Sequence, residues 1–473
     1  MVFSSAVFLF IFLPVVLLLH TLIKNISVRN GLLIVASLIF YAFGEPVYIA
    51  LLILSVFVNY LFGRVLYSKK NKVILGIAVA LNLSLLVVYK YTGFLVDTFN
   101  QIFNAKIPIP EIVMPIGISF FTFQAISYIV DVYRGKNTKK AGFFEVLLYI
   151  SLFPQLIAGP IVQYNSVADQ IRERKVTVDK FATGIRRFIV GLSKKMLIAN
   201  TMGLAADKIF AMETSDIGMA LAWVGAISYT LQIYFDFSGY SDMAVGIGHI
   251  LGFDFPENFK YPYTATSIRD FWRRWHMSLT GWFREYLYIP LGGNRKGRAR
   301  QILNSMIVFT CTGIWHGANL IFLVWGFFHG VLISVETLLQ RKDKKTPKFL
   351  IPFKWLFTML AVVLGFVIFR ADSLSYGMRY ITQMFTFGEN LSGYEMLISI
   401  ITPSYITTAI VAMLACCPLV PVISSALKGN GQKKSKIYPV VDVLGYVVSL
   451  ALFMLCAMSL ASNSYNPFIY FRF

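Results

Sequence analysis

Two histidines of this chain have surroundings that fit acid–base chemistry. The first, His316, lies between apolar runs at residues 302–315 and 320–339, in which the first charge is Glu336. An ionisable side chain deep in an apolar sequence is costly, and it therefore marks a candidate functional site. A buried neutral imidazole bonded to a backbone carbonyl is the alternative. Three neighbours favour a shaped polar pocket: Trp315, Gly317 and Asn319.

The second histidine, His276, lies in residues 258–300, which mix aromatic residues with arginines at helical spacing. Such a segment most often anchors a protein at the membrane interface. Arg273 and Arg274, which precede Trp275, fit lipid anchoring and equally the phosphates of an acyl donor, because guanidinium groups match phosphate. A histidine can take the proton of a hydroxyl group, which then attacks an activated acyl group. Acyl transfer is therefore one reaction that these residue types could carry out.

Motifs of several other enzyme classes are missing from the sequence. It has no Walker loop, GxGxxG or H-E-x-x-H motif, so nucleotide hydrolysis and metalloprotease chemistry have no support. We predict neither a metal site nor a permanently bound cofactor, and we expect the cysteines, which lie in apolar stretches, to pack. Among the other histidines, His329 is expected to pack, and His20 and His249 receive no role. The cysteines are Cys311, Cys416, Cys417 and Cys456.

The composition predicts an all-α polytopic membrane protein. Of 473 residues, 57% are hydrophobic and only 14% are charged. Several apolar runs are long enough to cross a bilayer as helices, and residues 2–23 are read as a retained first span instead of a signal peptide. The net charge is +20, and the basic residues lie in short connectors between the apolar runs. This pattern indicates membrane lipids as partners and argues against nucleic acid.

The basic connectors also predict the orientation of the chain. Placed in the cytoplasm, they leave both termini outside and give eight single spans plus hairpins. Residues 143–161 contain internal prolines and glycine, which predicts a re-entrant hairpin that is buried in protein or lines a cavity. Residues 184–200 are predicted to lie in the inner leaflet surface as an amphipathic helix. The connectors contain Lys24, Lys69, Arg134, Lys195, Arg295, Lys345 and Lys434.

Acidic residues inside apolar segments form a smaller group. Asp131 lies three residues before Arg134, and a local helical pair at the cytoplasmic edge is the expected explanation. Asp236 and Asp242 each lie close to serine or tyrosine hydroxyls.

Another apolar segment, residues 404–427, is predicted to be a membrane span that its prolines break.

Five ordered sequence blocks resemble those of the membrane-bound O-acyltransferase (MBOAT) family, and more closely its alginate and peptidoglycan O-acetyltransferase branch. The resemblance implies that His316 is the catalytic histidine and that His276 is the second histidine typical of bacterial members. It also implies one membrane domain over residues 1–473, with a ring of tilted helices and re-entrant segments around a central tunnel. The blocks are F-P-Q-L-I-A-G-P-I, Q-I-Y-F-D-F-S-G-Y-S-D-M-A, D-F-W-R-R-W-H-M-S-L-T-G-W, Y-I-P-L-G-G-N and W-H-G-A.

The same resemblance implies the substrates, partners and location. Acetyl-CoA would approach from the cytoplasm, and the acceptor would be a polysaccharide or peptidoglycan outside a bacterial plasma membrane. A secreted or membrane-anchored SGNH-type O-acetyltransferase would be the partner. A D-alanyl or lipid acyltransferase of the same family is the nearest alternative. A transporter, suggested by the broken helices, and a scaffold that recruits a polysaccharide synthase also stay open.

The tail, residues 462–473, contains Tyr470 among aromatic and aliphatic neighbours. An aromatic belt at the outer interface would explain most such clusters, but a belt does not need Arg472 between two phenylalanines. A similar tyrosine motif is used on a small partner in the related D-alanylation system. A phenol has a pKa near 10, so its ester is a better leaving group than an alkyl ester. We therefore predict that Tyr470 receives acetyl near His316 and passes it to a secreted partner.

Overall fold

The computed structural model describes residues 1–136, 139–339, 347–388, 391–428, 438–462 and 465–469. Within these ranges the regular structure is helical and no strand is formed. The predicted all-α fold class is confirmed. Three of the predicted residues, Lys345, Lys434 and Tyr470, lie outside the described residues.

The first third of the chain forms six helices. Two of them start at asparagines, because the side chain of Asn25 accepts hydrogen bonds from Ser27 N and Val28 N, and Asn71 does the same for the helix that follows it. Such side chains satisfy backbone N–H groups that a helix start leaves unpaired. The helices are α1 (Leu13–Leu22), α2 (Ile26–Ala42), α3 (Ile49–Ser68), α4 (Lys72–Leu86), α5 (Thr92–Phe103) and α6 (Ile118–Tyr133).

The predicted broken helix is present and buried. The chain forms α7 (Phe143–Ser151), leaves helical geometry at Leu152, forms α8 (Phe153–Leu156) and continues to α9 (Tyr164–Arg172). Side chains from elsewhere satisfy backbone N–H groups at the break. Phe153 N donates to Ser37 Oγ at 3.0 Å, and Ile161 N donates to Ser278 Oγ at 3.0 Å. Irregular backbone at this depth is thus enclosed by protein.

Two long antiparallel helical segments form the centre of the fold. α10 (Val178–Ser193) continues through a π-helical turn at Lys194–Ala199 into α11 (Asn200–Phe210), and both pack along α12 (Met219–Leu251). Glycines line the contact. A Cβ atom on Gly184 would lie 2.7 Å from Gly246 O, and one on Gly191 would lie 2.5 Å from Gly239 O. Small residues let the two backbones approach closely, as in many membrane helix pairs.

This central pair corrects the prediction for residues 184–200. The helix is amphipathic as predicted, but it does not lie in the leaflet surface by itself, because its apolar face packs along α12 and the chain continues into α11. Lys195 is buried, with 3% of its surface exposed, and does not belong to a cytoplasmic connector. Its charge is matched by Asp236, whose Oδ1 lies 2.8 Å from Nζ.

The prediction for Asp131 is also wrong in its partner. Lys136 Nζ lies 3.4 Å from Asp131 Oδ1, whereas Arg134 binds Glu285 at 2.8 Å. Glu285 lies 151 positions after Arg134, so local helical spacing could not reveal that Glu285 is the partner of Arg134. The pKa of Glu285 lies below its usual value because Lys136 donates a hydrogen bond to it and because the charges of Lys136 and Arg134 outweigh desolvation.

A second set of helices contains both histidines. It is built around a close hairpin of α15 and α16, in which the Cβ of any larger residue at Gly313 would meet Phe322 O and one at Gly326 would meet Phe309 O. Close packing thus holds the helix that ends at His316. The helices are α13 (Ile268–Trp272), α14 (Met277–Phe283), α15 (Gly297–His316), α16 (Leu320–Leu339) and α17 (Ile351–Arg370).

The remaining helices are α18 (Leu374–Gln383), α19 (Leu391–Ile400), α20 (Pro403–Ala415), α21 (Leu419–Lys428) and α22 (Tyr438–Ser462). The break predicted in residues 404–427 is confirmed, since α20 ends and α21 begins on either side of Pro418. The predicted bounds are wrong, because the apolar pair that could cross a membrane or form a re-entrant loop is α19 with α20, bent by 73°. α20 ends at Ala415, before Pro418, because proline disfavours helical geometry in the residue before it.

By length and composition, five helices of the described residues can cross a membrane, or six if the bent pair is one span. The sequence predicted eight single spans. Three of the predicted ones are present as shorter apolar helices, at Phe8–Leu22, Ile26–Ala42 and Ile118–Tyr133. A multi-pass membrane protein is therefore confirmed, with fewer full-length spans than predicted.

Residues 465–469 of the tail pack into the protein. Asn466 Nδ2 donates to Ser4 O at 3.0 Å, which joins the two ends of the described chain. Phe468 and Ile469 are buried, with 4% and 3% of their surfaces exposed. The segment that leads to Tyr470 is thus part of the core.

Candidate active site

His316 is the last residue of α15, and side chains from another helical segment hold this helix end. Lys90 Nζ donates to Trp315 O at 2.6 Å and to His316 O at 3.0 Å. Tyr91 Oη donates to Ile314 O at 2.5 Å. A cation at a helix C-terminus is favourable, because the last carbonyls lack partners within the helix. Lys90 thereby fixes the backbone of the residue that carries the imidazole.

Aromatic rings surround the half-buried imidazole of His316. Its ring centroid lies 5.1 Å from that of Trp325 and 5.0 Å from that of Phe369, both nearly perpendicular to it. Trp315 lies at 4.9 Å. Edge-to-face contacts of this kind fix ring orientation without using the ring nitrogens. The three rings therefore orient the imidazole.

The backbone around the second histidine is held by two hydrogen bonds, one before it and one after it. Lys260 N donates to Arg274 O at 2.9 Å, and Met277 N donates to Asn258 O at 2.9 Å. Between them His276 adopts a left-handed conformation, with φ of +43°. For a residue other than glycine this conformation costs about 1–2 kcal/mol. Strained backbone of this type clusters at functional sites, where the surrounding structure enforces it.

A hydrogen bond to Asn258 sets the tautomer of His276. Asn258 Oδ1 accepts from Ser278 N at 3.2 Å and from Ser278 Oγ at 2.9 Å, which identifies this atom as the oxygen. His276 Nδ1 lies 3.1 Å from the same oxygen. An amide oxygen only accepts, so Nδ1 carries a proton and Nε2 is the acceptor of the neutral ring.

Both histidines line one small cavity of about 20 Å³, which we call the histidine cavity. The structure thus brings together His316 and His276, which the sequence separates. Trp275 is in the wall, and so is Ile469 of the tail. The complete lining is Ile233, Phe237, Trp275, His276, His316, Trp325, Phe366, Phe369 and Ile469.

Two of the larger cavities bear on the two histidines, because one has His316 in its wall and the other has Asn258, the partner of His276. The Lys90 cavity, about 210 Å³, is lined by Lys90, Ser119, Trp315 and His316 among others. His316 therefore faces both this cavity and the histidine cavity. The basic cavity, of about 600 Å³, is lined by Asn258, which also binds His276. Its charged residues are Arg186, Arg187, Lys194, Lys260, Asp242 and Glu257.

Two residues predicted for donor binding lie away from these cavities. Arg274 donates to Asp270 Oδ1 at 3.0 Å. Arg273 lines a separate cavity that it shares with Asp270 and Lys354. Their role stays a prediction. His329 packs as expected, since it is 1% exposed and its ring lies 5.0 Å from Trp272.

The sequence reasoning missed two residues of the site. Lys90 had a usable signal, because it is a lone charge in a run of apolar and aromatic residues. Asn258 had no comparable signal, since an asparagine near a charged segment is common. Its importance follows only from its contact with His276.

Replacing Lys90 with methionine is expected to lower kcat by about 10- to 100-fold, the scale for a reacting group displaced by about 1 Å. Methionine fills similar space but cannot donate to the carbonyls of Trp315 and His316. The KM for the acyl donor should not change, and Lys90→Arg should restore part of kcat. Lys106→Met, at an exposed position, is the control. An unchanged kcat in Lys90→Met would contradict this role.

Comparison with known proteins identifies relatives along the whole chain. Residues 134–369 match the model of the MBOAT, membrane-bound O-acyltransferase family. A probable alginate O-acetylase, AlgI, of Pseudomonas putida is 40% identical over 100% of both chains. The peptidoglycan O-acetyltransferase of Helicobacter pylori is 36% identical over 81% of this chain and 80% of its own. The teichoic acid D-alanyltransferase of Bacillus subtilis is 31% identical over 53% and 65%.

Proposed function

Because the chain belongs to the membrane-bound O-acyltransferase family, we propose that it moves an acetyl group from cytoplasmic acetyl-CoA across the membrane for O-acetylation of a polysaccharide. The acceptor is extracellular or part of the cell wall, and relatives named for alginate and peptidoglycan acetylation support this class. The observation that carries the proposal is the histidine cavity, where His316, His276 and the residue before Tyr470 meet.

The basic cavity is the proposed entrance of acetyl-CoA. Four cations and two carboxylates line it, so it carries a net positive charge toward an anionic substrate. Burial lowers the pKa of Arg187, but hydrogen bonding to Glu257 and the charges of Asp242 and Glu257 outweigh this and raise it. Lys260 adds a cation at the exposed rim. Lysine and arginine both bind phosphate groups, with arginine in the more defined geometry.

The basic cavity faces the cytoplasm in this proposal, and both termini are extracellular. The excess of basic residues in the connectors supports that orientation. The Lys90 cavity then opens toward the outside, where the acceptor and a secreted or membrane-anchored SGNH-type partner are found. His316, which lines it, would be reached from both sides.

In the proposed first step an imidazole nitrogen of His316 takes the proton of the Tyr470 hydroxyl. The phenolic oxygen attacks the thioester carbonyl, so that a C–O bond forms and the C–S bond breaks. The imidazolium then returns the proton to the CoA thiolate. His276, whose Nδ1–H is held by Asn258, orients the donor with Nε2. The products are free CoA and acetyl-Tyr470.

In the second step a hydroxyl group of the partner attacks the tyrosyl ester. A new C–O bond forms, the phenolic oxygen of Tyr470 leaves, and it takes up the proton that the hydroxyl group loses. Tyr470 is regenerated for another cycle. The partner then transfers the acetyl group to the polysaccharide in the same manner, by exchange of one ester for another.

Membrane vesicles of the two orientations test the proposed function. Acetyl-CoA does not cross a bilayer, because its charged phosphates are costly to desolvate. Inverted vesicles, which expose the cytoplasmic face, should therefore transfer labelled acetyl to the chain, whereas right-side-out vesicles should not. Transfer from a D-alanyl carrier instead of acetyl-CoA would favour the D-alanyl alternative, which the similarity to the teichoic acid enzyme keeps open.

A further inference from the structure

We infer that a buried ion pair, Lys195 with Asp236, holds residues 465–469 in a fixed register with Ile469 in the wall of the histidine cavity, and that acyl transfer through Tyr470 depends on this register. We call this pair the tail lock. The inference rests on the proposed carrier role of Tyr470 and adds two positioning residues to it. It begins from the ion pair, which the chemistry described above does not use.

The two charges are almost fully removed from solvent. Lys195 Nζ lies 2.8 Å from Asp236 Oδ1, and their side chains are 4% and 2% exposed. Burying two charges is costly unless their remaining hydrogen-bonding capacity is also satisfied. The pair therefore needs further partners in the core.

The tail supplies those partners with its backbone. Ile469 N donates to Asp236 Oδ2 at 2.7 Å. Lys195 Nζ donates to Pro467 O. Pro467 has no N–H group, so it places no unsatisfied donor in this buried site. The lock thus binds main-chain groups on both sides of Phe468.

Side-chain contacts set which tail residues reach the lock. Tyr465 Oη donates to Asp207 Oδ2 at 2.7 Å. Asn466 Nδ2 donates to both the backbone oxygen and the hydroxyl oxygen of Ser4. Phe468 stacks on Tyr240 with ring centroids 4.6 Å apart. A shift of the tail by one residue would break these contacts together.

The tail lock and the histidine cavity both use residues from one turn of α12. Asp236 holds Ile469, and the next residue, Phe237, lines the histidine cavity and packs its ring 4.6 Å from that of His276. The side chain of Ile469 lines the same cavity. Holding the backbone of Ile469 therefore fixes the point from which Tyr470 continues.

A double substitution tests the lock. Lys195→Met with Asp236→Leu removes both charges, so no unpaired charge stays buried. Docking is measured with Ser4→Cys and Asn466→Cys in a chain whose native cysteines are alanine, using a short thiol cross-linker. We expect cross-linking to fall severalfold and polymer acetylation to fall by up to about 10²-fold. Lys180→Met with Asp254→Asn, an exposed ion pair, is the matched control.

Rescue separates positioning from a general structural role. Cross-linking the tail of the double variant should restore part of its acetylation, because the tether replaces the lock. Unchanged cross-linking in the double variant would overturn the lock. Lost acetylation that the tether does not restore would overturn the positioning role. Cross-linking reports on the lock alone, so its result is independent of whether Tyr470 proves to be the carrier.

A second pair of variants avoids changes inside the core. Ile469→Pro removes the N–H group that Asp236 accepts, whereas Ile469→Ala shortens the side chain and keeps that group. The lock predicts less cross-linking and less acetylation in Ile469→Pro than in Ile469→Ala. Equal values in the two variants would overturn it.

Discussion

Replacing His316 with alanine is expected to abolish acyl transfer and leave the amount of membrane-inserted protein unchanged. A general base typically contributes about 10²–10⁴-fold to the rate, and the loss is larger when it is the only base. The imidazole is half-buried and faces two existing cavities, so its removal enlarges space that is already open. The measurement is acetyl-CoA turnover by purified protein together with acetylation of the polymer by cells.

Substitutions of two other histidines serve as comparisons for His316→Ala. His276→Ala should reduce activity less, mainly through the KM for acetyl-CoA, because we assign His276 a role in orienting the donor. His249→Ala should retain full activity, since His249 lies at the end of α12, 3.8 Å from Asp254, and lines none of the three cavities. Near wild-type acetylation in His316→Ala would refute the assignment of the base.

Replacing Tyr470 with phenylalanine should abolish polymer acetylation at an unchanged protein level. The substitution keeps the aromatic ring and removes the phenolic oxygen of Tyr470, to which the acetyl group would be attached. Mass spectrometry of the tail peptide should detect an acetyl ester in the parent chain supplied with acetyl-CoA, and none in the variant. An inactive partner should increase the ester by blocking its consumption.

Tyr394→Phe, at an exposed position, is the matched control and should acetylate normally. Normal acetylation by Tyr470→Phe would end the carrier hypothesis and leave the tail as an anchor. Cross-linking of Asn466→Cys would still report whether residues 465–469 are docked, so the two hypotheses can fail separately.

The sequence predicted features that depend on local pattern or on long apolar runs. The all-helical fold, the broken helix at residues 143–161 and the isolation of His316 all have such signals. The family resemblance pointed to both His316 and His276, but the geometry that places them in the wall of one cavity could not be predicted. It depends on the left-handed backbone at His276 and on Asn258.

Errors arose where a charge has a partner on a distant helix. The basic pair that includes Lys195 has the spacing of an interfacial helix, yet Asp236 and the tail bring that lysine into the core. Arg134 binds Glu285 and not its neighbour Asp131 for the same reason. Long-range pairing of this kind leaves no periodic signal along the chain.

The aromatic walls of the histidine cavity have a consequence for cell energetics. A bacterium drives transport and ATP synthesis with a proton gradient, and the proposed cycle moves protons on and off His316 with a cavity on either side of it. Rings of Trp315, Trp325 and Phe369 close around that imidazole. In the proposed cycle, protons reach and leave His316 with the acyl substrates that fill the space between these rings. An enzyme that works in this way would transfer acetyl across the membrane and conserve the gradient.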